Sequence, residues 1–363
     1  MKISDVDKKM VDNKIISNDI IYYDPIADDR FKIEGLAFFE SEKRYHRLSK
    51  ESKGNVREVV YWLASHPSGG QIRFITNAKK IYVNVKNTGD YMMCHMPKTS
   101  QQGVDLYFKR KQDKKYQFFT CAKFNVPCNE YESIVFEADN KEEKQIIINL
   151  PLYEGLDKIL IGIESDAYIK KAKDKKNKEK IVVYGTSVTQ GGCASRPGMA
   201  YYNILSRWLD IEIINLGFSG NGKGEDMIVD YMAGLTMSAF VSDYDHNAPS
   251  IAHLANTHLN MYQKIRAFHP DIPYIMISRP DMDSCNQNEL ADRRKVILDT
   301  YHYACAQGDS NVWFIDGSSI FRGPYEELCT VDGVHPNDMG FAMMADAIGS
   351  VLKRAFSKYW DNL

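Results

Sequence analysis

The stretch Ile181–Gly192, IVVYGTSVTQGG, runs four apolar residues into a small, hydroxyl-rich turn. A short apolar run closed by glycine suits a strand buried on both faces. The same texture recurs in IEIINL (Ile211–Leu216), AFVSDY (Ala239–Tyr244), YIMIS (Tyr274–Ser278) and VWFID (Val312–Asp316). Between these runs lie helical patterns: AYYNILSRWL (Ala200–Leu209), IAHLANTHLNMYQKIRAF (Ile251–Phe268) and NELADRRKVILDTYHYACAQ (Asn288–Gln307). A last helix is expected after Pro336, with Met344, Ile348, Val351, Leu352 and Phe356 close to one face. Strands and helices alternating in this order predict an α/β fold, a parallel sheet flanked by helices. Ligands of such sheets sit at the carboxyl ends of the strands, so the loops that follow the apolar runs are where chemistry is to be sought.

The chain ahead of Ile181 has a different texture. VREVVYWLA (Val56–Ala64), GQIRFITNA, KIYVNVKN, GVDLYFKRK, YQFFTCAKF, ESIVFEA, KQIIINL and KILIGIE (Lys158–Glu164) read as strands separated by Gly, Asn, Asp, Lys and Pro. Ile81, Val83 and Val85 alternate with polar residues, as a strand with one buried face requires. Many short strands without a convincing helix predict an all-β sandwich of jelly-roll type. The Lys-rich run IKKAKDKKNKEK (Ile169–Lys180) reads as a solvated boundary. The expected division is therefore a β-sandwich over 1–172, a linker over 173–180 and an α/β domain over 181–363.

Composition narrows the partners. The 363 residues are 44% hydrophobic, enough for a large core, and the net charge is −2. That balance lacks the basic excess that nucleic acid or an anionic membrane surface would call for. A neutral, small-molecule substrate fits better. Seven scattered cysteines without a CxxC pair suit free thiols in a reducing compartment. The start, MKISDVDKKMVDNK, has no apolar core of signal-peptide length, and a cytoplasmic location is expected.

Four loops hold the reactive residue types. In the first, Ser187 follows Gly185 and Thr186 at a strand-to-helix turn. On this loop alone a turn serine and a nucleophile fit equally, and both the GxxxxGK[ST] phosphate loop and the GxSxG elbow are absent. The second, INLGFSGNGKG (Ile214–Gly224), crowds glycines that permit positive φ and close backbone approach. The third, VSDYDHNAP (Val241–Pro249), places Asp243, Asp245, His246 and Asn247 past a strand. Asn247 there would either donate to a developing oxyanion or cap the turn before Pro249. In the fourth, CTVDGVHPNDMG (Cys329–Gly340), Asp332 and His335 are three apart, so the carboxylate can reach the imidazole and set its tautomer. His253 and His258 are five apart and lack the HExxH pattern of a zinc site. Arg196 and Arg279, near strand-end loops, suit a carboxylate or carbohydrate ligand and suit the fold equally.

Taken in order, these four loops resemble the blocks of the SGNH hydrolases, the GDSL esterase and lipase superfamily. GTSVTQGG stands at the serine block and DGVHPN at the Asp-x-x-His block, and the match covers about the last half of the chain. YGTSVTQGGCASRPGMAY and NLGFSGNGKG are similar to a bacterial subgroup with an N-terminal β-sandwich, whose small β domain the region of GVDLYF also resembles. The resemblance implies a flavodoxin-like three-layer sandwich behind the β domain. It implies Ser187 as nucleophile, Asp332 and His335 as the rest of a triad, and Ser187, Gly220 and Asn247 as oxyanion donors. It further implies hydrolysis of short-chain acyl esters, acetyl esters on carbohydrates foremost, through an acyl-enzyme with no metal or organic cofactor. The expected partner is a small-molecule or carbohydrate ester, and a homo-oligomer is compatible with the sequence. Acyl transfer to an alcohol through the same intermediate, or an inert carbohydrate-binding protein, are the alternatives. Two departures stand out: Gly-Thr-Ser replaces the name-giving Gly-Asp-Ser, and DYDHNAP replaces Gly-x-Asn-Asp.

Overall fold

The computed structural model describes residues 6–7, 19–280 and 287–357. The chain forms two compact units. The first gathers residues up to His46, Ser65–Asp174 and Ser195–Gly198; the second gathers Arg47–Ala64, Lys175–Ala194 and the chain from Met199 onward.

Among the described residues the first unit holds ten strands: β1 Ile20–Tyr23, β2 Lys32–Glu34, β3 Gln71–Thr76, β4 Lys80–Asn87, β5 Asp105–Arg110, β6 Gln117–Cys121, β7 Glu130–Glu137, β8 Lys144–Asn149, β9 Leu156–Glu164 and β10 Ile169–Lys171. They make two antiparallel sheets, one in the order β1-β9-β4-β7 and one in the order β10-β3-β8-β5-β6, with β2 also paired to β3. Ile81, Val83 and Val85 of β4 are fully buried while Lys86 is exposed, so the alternation read from the sequence marks the core face. That face shares one apolar core with Phe74, Leu106, Val135, Ile146, Ile148, Ile159 and Ile161 from both sheets. Arg196 belongs here: its guanidinium pairs with the buried Asp105 at 2.9 Å and lies over the Phe118 ring at 3.6 Å, a role in the fold.

The second unit begins with a helix, α1 Glu58–Ala64, in the stretch expected to be a strand. Val60, Leu63 and Ala64 are buried, whereas Val59 and Trp62 are exposed. This is an i, i+3, i+4 stripe, and the β-branched and aromatic content that suggested a strand is overridden by which positions the fold covers. The strands β11 Asn177–Gly185, β12 Ile211–Gly217, β13 Ala239–Asp243, β14 Tyr274–Ile277 and β15 Val312–Ile315 form one parallel sheet in the order β12-β11-β13-β14-β15. This is the 2-1-3-4-5 order of flavodoxin-like folds, as expected. The helices α2 Ser187–Gln190, α3 Tyr201–Leu209, α4 Asp226–Ala233, α5 Ile251–Phe268, α6 Gln287–Ala306 and α7 Asp338–Phe356 complete it. α3 packs on α7, and α5 touches both α4 and α6. Met344, Ile348, Leu352 and Phe356 of α7 are buried, as the expected face required, with Val351 at its half-buried margin.

The Lys-rich run is shorter as a linker than 173–180. β10 covers Ile169–Lys171 and β11 already starts at Asn177, paired to Ile211 of β12. Lys175 is buried, its ammonium donating to the Ser206 hydroxyl at 2.6 Å and the Ile211 carbonyl at 2.9 Å. A lysine can lay its stem along apolar surface and still satisfy its charge at a strand end, which a reading by charge alone misses.

Replacing Lys175 by Ala removes the charged donor shared by the Ser206 hydroxyl and the Ile211 carbonyl, which keeps its bond from Ser206 at 2.8 Å. The expected loss is about 1–3 kcal/mol. The exposed Lys173→Ala should stay within about 0.5 kcal/mol of wild type. Equal urea midpoints for the two variants would restore the solvated-linker reading.

Candidate active site

The four loops open at the carboxyl edge of the parallel sheet. β11 ends at Gly185, which lies opposite Gly217 of β12 and Asp243 of β13, so the loops after these three strands start at one level. Thr186 caps α2, its hydroxyl oxygen accepting from the Val188 N–H at 3.2 Å. This puts Ser187 in the first turn, where backbone N–H groups lack helical partners and the helix dipole is positive.

Ser187 Oγ lies 2.9 Å from His335 Nε2, and His335 Nδ1 lies 2.7 Å from Asp332 Oδ2. The loop carrying the last two is closed by backbone bonds from Val331 N–H to the His335 carbonyl and from Asn337 N–H to the Cys329 carbonyl, both 2.9 Å. Asn337 then caps α7 through the Met339 and Gly340 N–H groups. Asp332 Oδ1 accepts from the N–H groups of Val334 at 3.0 Å and His335 at 2.8 Å. Partial burial works against the Asp332 charge, but the backbone and ring of His335 and the Val334 N–H outweigh it and hold its carboxyl at about 2. A permanent carboxylate therefore fixes His335 with Nδ1–H toward Asp332 and leaves Nε2 to take a proton from Ser187. Serine, imidazole and carboxylate so linked can perform covalent acyl transfer.

The loop after β12 folds against the same edge. Phe218 N–H donates to the Gly185 carbonyl at 3.0 Å, and Ser219 N–H donates to the side-chain oxygen of Gln190 in α2 at 2.9 Å. A Cβ on Gly222 would fall 2.2 Å from the Gly185 carbonyl oxygen, so only glycine allows this approach. Gly220 takes φ +65 at the tip, and its N–H has no protein acceptor among the described residues. Asn247, in the one-turn 3-10 segment Asp245–Asn247 after β13, accepts from Gly222 N–H through its side-chain oxygen at 3.2 Å, leaving its NH2 group as donor. The structure thus brings Ser187, His335 and Asp332 into one hydrogen-bonded chain and ties the Gly220 loop both to α2 and to Asn247.

The remaining residues of the third loop are internal. Asp243 is fully buried and accepts from Thr189 at 3.1 Å; burial and the neighbouring Asp245 push its carboxyl well above the carboxylate range. Asp245, buried, accepts from the Arg279 N–H at 3.1 Å, and its backbone carbonyl accepts from Arg293 at 2.7 Å. Burial lifts the Asp245 carboxyl to about 6 against the pull of Arg279 and Arg293. Burial, and then the positive charge of Arg279 and Arg293, keeps His246 neutral. His258 bonds Thr300 at 2.9 Å with its titration pushed to about 3 by burial, and His253 bonds the Lys223 carbonyl at 2.7 Å. These two histidines serve the packing of α5. Cys193 is buried at φ +72 in the turn after α2, and Cys121 and Cys128 are half-buried and outside any disulfide.

Sequence reading passed over Gln190, whose only signal was its place in the serine block, and Asn215, whose side chain accepts from Gly217 N–H at 2.8 Å. It also passed over Arg47 and Arg57, which lie more than 150 residues from the loop they touch.

The folded Asp245 carboxyl titrates above its ordinary value near ~3.9. Its protonated form is the one the fold favours, so its contribution is complete below about pH 4 and is lost as pH rises through about 6. Asp245→Asn, neutral throughout, should therefore gain on wild type in thermal midpoint between about pH 4 and about pH 8. A pH-independent difference between the two proteins would contradict this.

The likeness to known proteins follows the same two parts of the chain. Residues 178–353 match the model of the GDSL-like lipase/acylhydrolase family, and residues 20–169 match the model named GxDLY, the N-terminus of SGNH-hydrolase-type esterases. No curated protein matches the chain. Among solved structures, a Bacteroides ovatus protein named as a GDSL-like lipase is 31% identical over 93% of this chain and 98% of its own, with a TM-score of 0.84. The salicylyl-acyltransferase SsfX3 from a tetracycline biosynthetic pathway shares the fold at 17% identity and a TM-score of 0.73, covering 94% of this chain and 98% of its own. An acetyl xylan esterase from Butyrivibrio proteoclasticus shares it at 12% identity and a TM-score of 0.56, covering 94% of this chain and 100% of its own. No helix among the described residues is long and apolar enough to cross a membrane. With both parts matched in chain order and one relative similar over nearly its whole length, this chain belongs to the GDSL-like lipase/acylhydrolase (SGNH) family, in the group that carries the GxDLY N-terminal domain.

Proposed function

We propose that the protein is a serine esterase that removes short acyl groups, acetyl foremost, from carbohydrate or other small-molecule alcohols. The observation that carries this reading is the hydrogen-bonded chain from Ser187 through His335 to Asp332. As Ser187 Oγ bonds to the ester carbonyl carbon, its proton passes to His335 Nε2, and Asp332 stabilises the imidazolium. The carbonyl oxygen becomes an oxyanion, which the N–H groups of Ser187 and Gly220 and the Asn247 carboxamide are suited to receive. Collapse of the tetrahedral adduct breaks the bond to the alcohol oxygen, which leaves with the proton from His335. Water then gives a proton to the same nitrogen as it attacks the acyl carbon, and collapse of this second adduct breaks the bond to Ser187 Oγ, which takes the proton back from His335 as the acid leaves. Every proton is carried by one imidazole. The carbohydrate part of the proposal is supported by the acetyl xylan esterase and the family-two carbohydrate esterases that share the fold.

A second reading has its own support. The same acyl-enzyme resolved by an alcohol in place of water would make the protein an acyltransferase, the activity that SsfX3 carries in its name. Product analysis with acceptor alcohols present separates the two, since transfer yields a new ester and hydrolysis yields free acid.

Ser187→Ala should lower kcat on p-nitrophenyl acetate by about 10⁴-fold or more and abolish labelling by a fluorophosphonate probe. Asn247→Ala should lower kcat by about 10²- to 10³-fold. Asp332→Asn should damage turnover far more than Asp245→Asn. Wild-type rates in Ser187→Ala would remove the nucleophile assignment, and the reverse order of the two aspartates would move the triad carboxylate to Asp245.

A further inference from the structure

The segment Arg47–Ala64 stands in the first third of the chain, within the stretch that matches the N-terminal family model, yet it packs as part of the α/β unit. Two arginines of this segment hold the loop that carries Gly220. Arg47 is 1% exposed, and its guanidinium donates to the carbonyls of Gly217, Asn215 (3.4 Å) and Leu63 (2.7 Å) while lying 4.8 Å from the centre of the Phe218 ring. Arg57 donates to the Asn221 side-chain oxygen at 2.6 Å and the Asn221 carbonyl at 3.0 Å, and it pairs with the Glu225 carboxylate at the start of α4. Tyr231 of α4 donates to the Arg47 carbonyl at 3.2 Å, so the segment is itself anchored.

The two guanidinium groups therefore grip both shoulders of residues 218–222 and leave the tip between them. The turn is closed by the Asn221 and Gly222 N–H groups, which donate to the Phe218 carbonyl at 2.8 and 3.0 Å, but its Gly220 tip faces open space, where an added Cβ would meet nothing within 4 Å. A loop containing Gly217, Gly220, Gly222 and Gly224 has wide backbone freedom when unrestrained. An oxyanion donor is effective only if it is already in place when charge develops. From these observations we infer that Arg47 and Arg57 are positioning residues for turnover, bracing the loop so that the Gly220 N–H is held ready for the oxyanion. The inference rests on the esterase reading for its effect on rate, while the bracing is a property of the loop alone. A planar fork that serves several carbonyls cannot be replaced by the single point charge of lysine.

The test uses the full chain carrying Arg57→Met, Arg57→Lys, Arg47→Met and Arg47→Lys. Each is measured for kcat and KM on p-nitrophenyl acetate, thermal midpoint and amide hydrogen exchange of peptides spanning 216–224. Arg57 is about one-third exposed, so its variants are expected to fold. The expected result for Arg57→Met is a kcat lower by about tenfold or more, KM within about twofold, and faster exchange confined to the loop. Arg47→Met should lose more, and neither lysine should restore the rate. A folded Arg57→Met with wild-type kcat, or with unchanged exchange in 216–224, overturns the inference. If the Arg47 variants fail to fold, the Arg57 pair decides. If the wild-type chain shows no Ser187-dependent hydrolysis, the esterase reading fails, and the exchange measurement still decides whether the arginines brace the loop.

Discussion

The pairing of β11 with β12 on one side and β13 on the other is the constraint on which the site depends. Gly185 stands opposite Gly217 and Asp243, so the serine turn, the glycine loop and the asparagine turn all leave the sheet at one height. Parallel strands give evenly spaced, directional pairing, and in a doubly wound order the loops at the central strands converge outside the carboxyl edge. The fourth loop arrives differently. Asp332 and His335 sit on a turn held shut by the Thr330–Pro336 bridge and capped into α7 by Asn337, so their orientation is set locally before the turn meets Ser187.

Thr186 shows how a departure from the family pattern fits this frame. It is fully buried and caps the turn that carries Ser187, a task its hydroxyl performs without bringing a carboxylate into the interior. The interior nearby already holds Asp243 and Asp245, whose carboxyl groups burial drives toward the neutral form. A further acid there would add to an unfavourable set of buried like charges. Asp332 stands apart from them, partly exposed and supplied with N–H donors, and so remains the carboxylate available to the imidazole.

Much of the α/β unit was legible from the chain. The five apolar runs became the five strands, and the helical periods of Tyr201–Leu209, Ile251–Phe268 and Asp338–Phe356 became helices, because burial on both faces of a strand and on one face of a helix leaves a strong pattern. Ser187, Asp332 and His335 stood out because the order of their loops resembles the SGNH blocks, whereas the serine loop alone fitted a plain turn equally well. Val56–Ala64 was misread because short apolar segments rich in valine and tryptophan satisfy either period. Lys175 was misread because charge alone does not reveal where an ammonium group ends. The arginines at 47 and 57 left no local mark at all, since the carbonyls and carboxamide they serve carry no residue-specific pattern.

The amino-acid sequence by itself determined the order of the elements, the change of texture near Ile181 and the placing of Ser187, Asp332 and His335 on loops that follow apolar runs. These are local properties, written in periodicity and in residues close together along the chain. Only the tertiary structure decided that Arg47–Ala64 belongs with the α/β unit, that Gln190 and Asn247 hold the glycine loop, and that Asp243 and Asp245 are buried while Asp332 keeps its charge. Those outcomes depend on hydrogen bonds and desolvation between groups far apart in the chain, and such terms exist only once the sheet has closed.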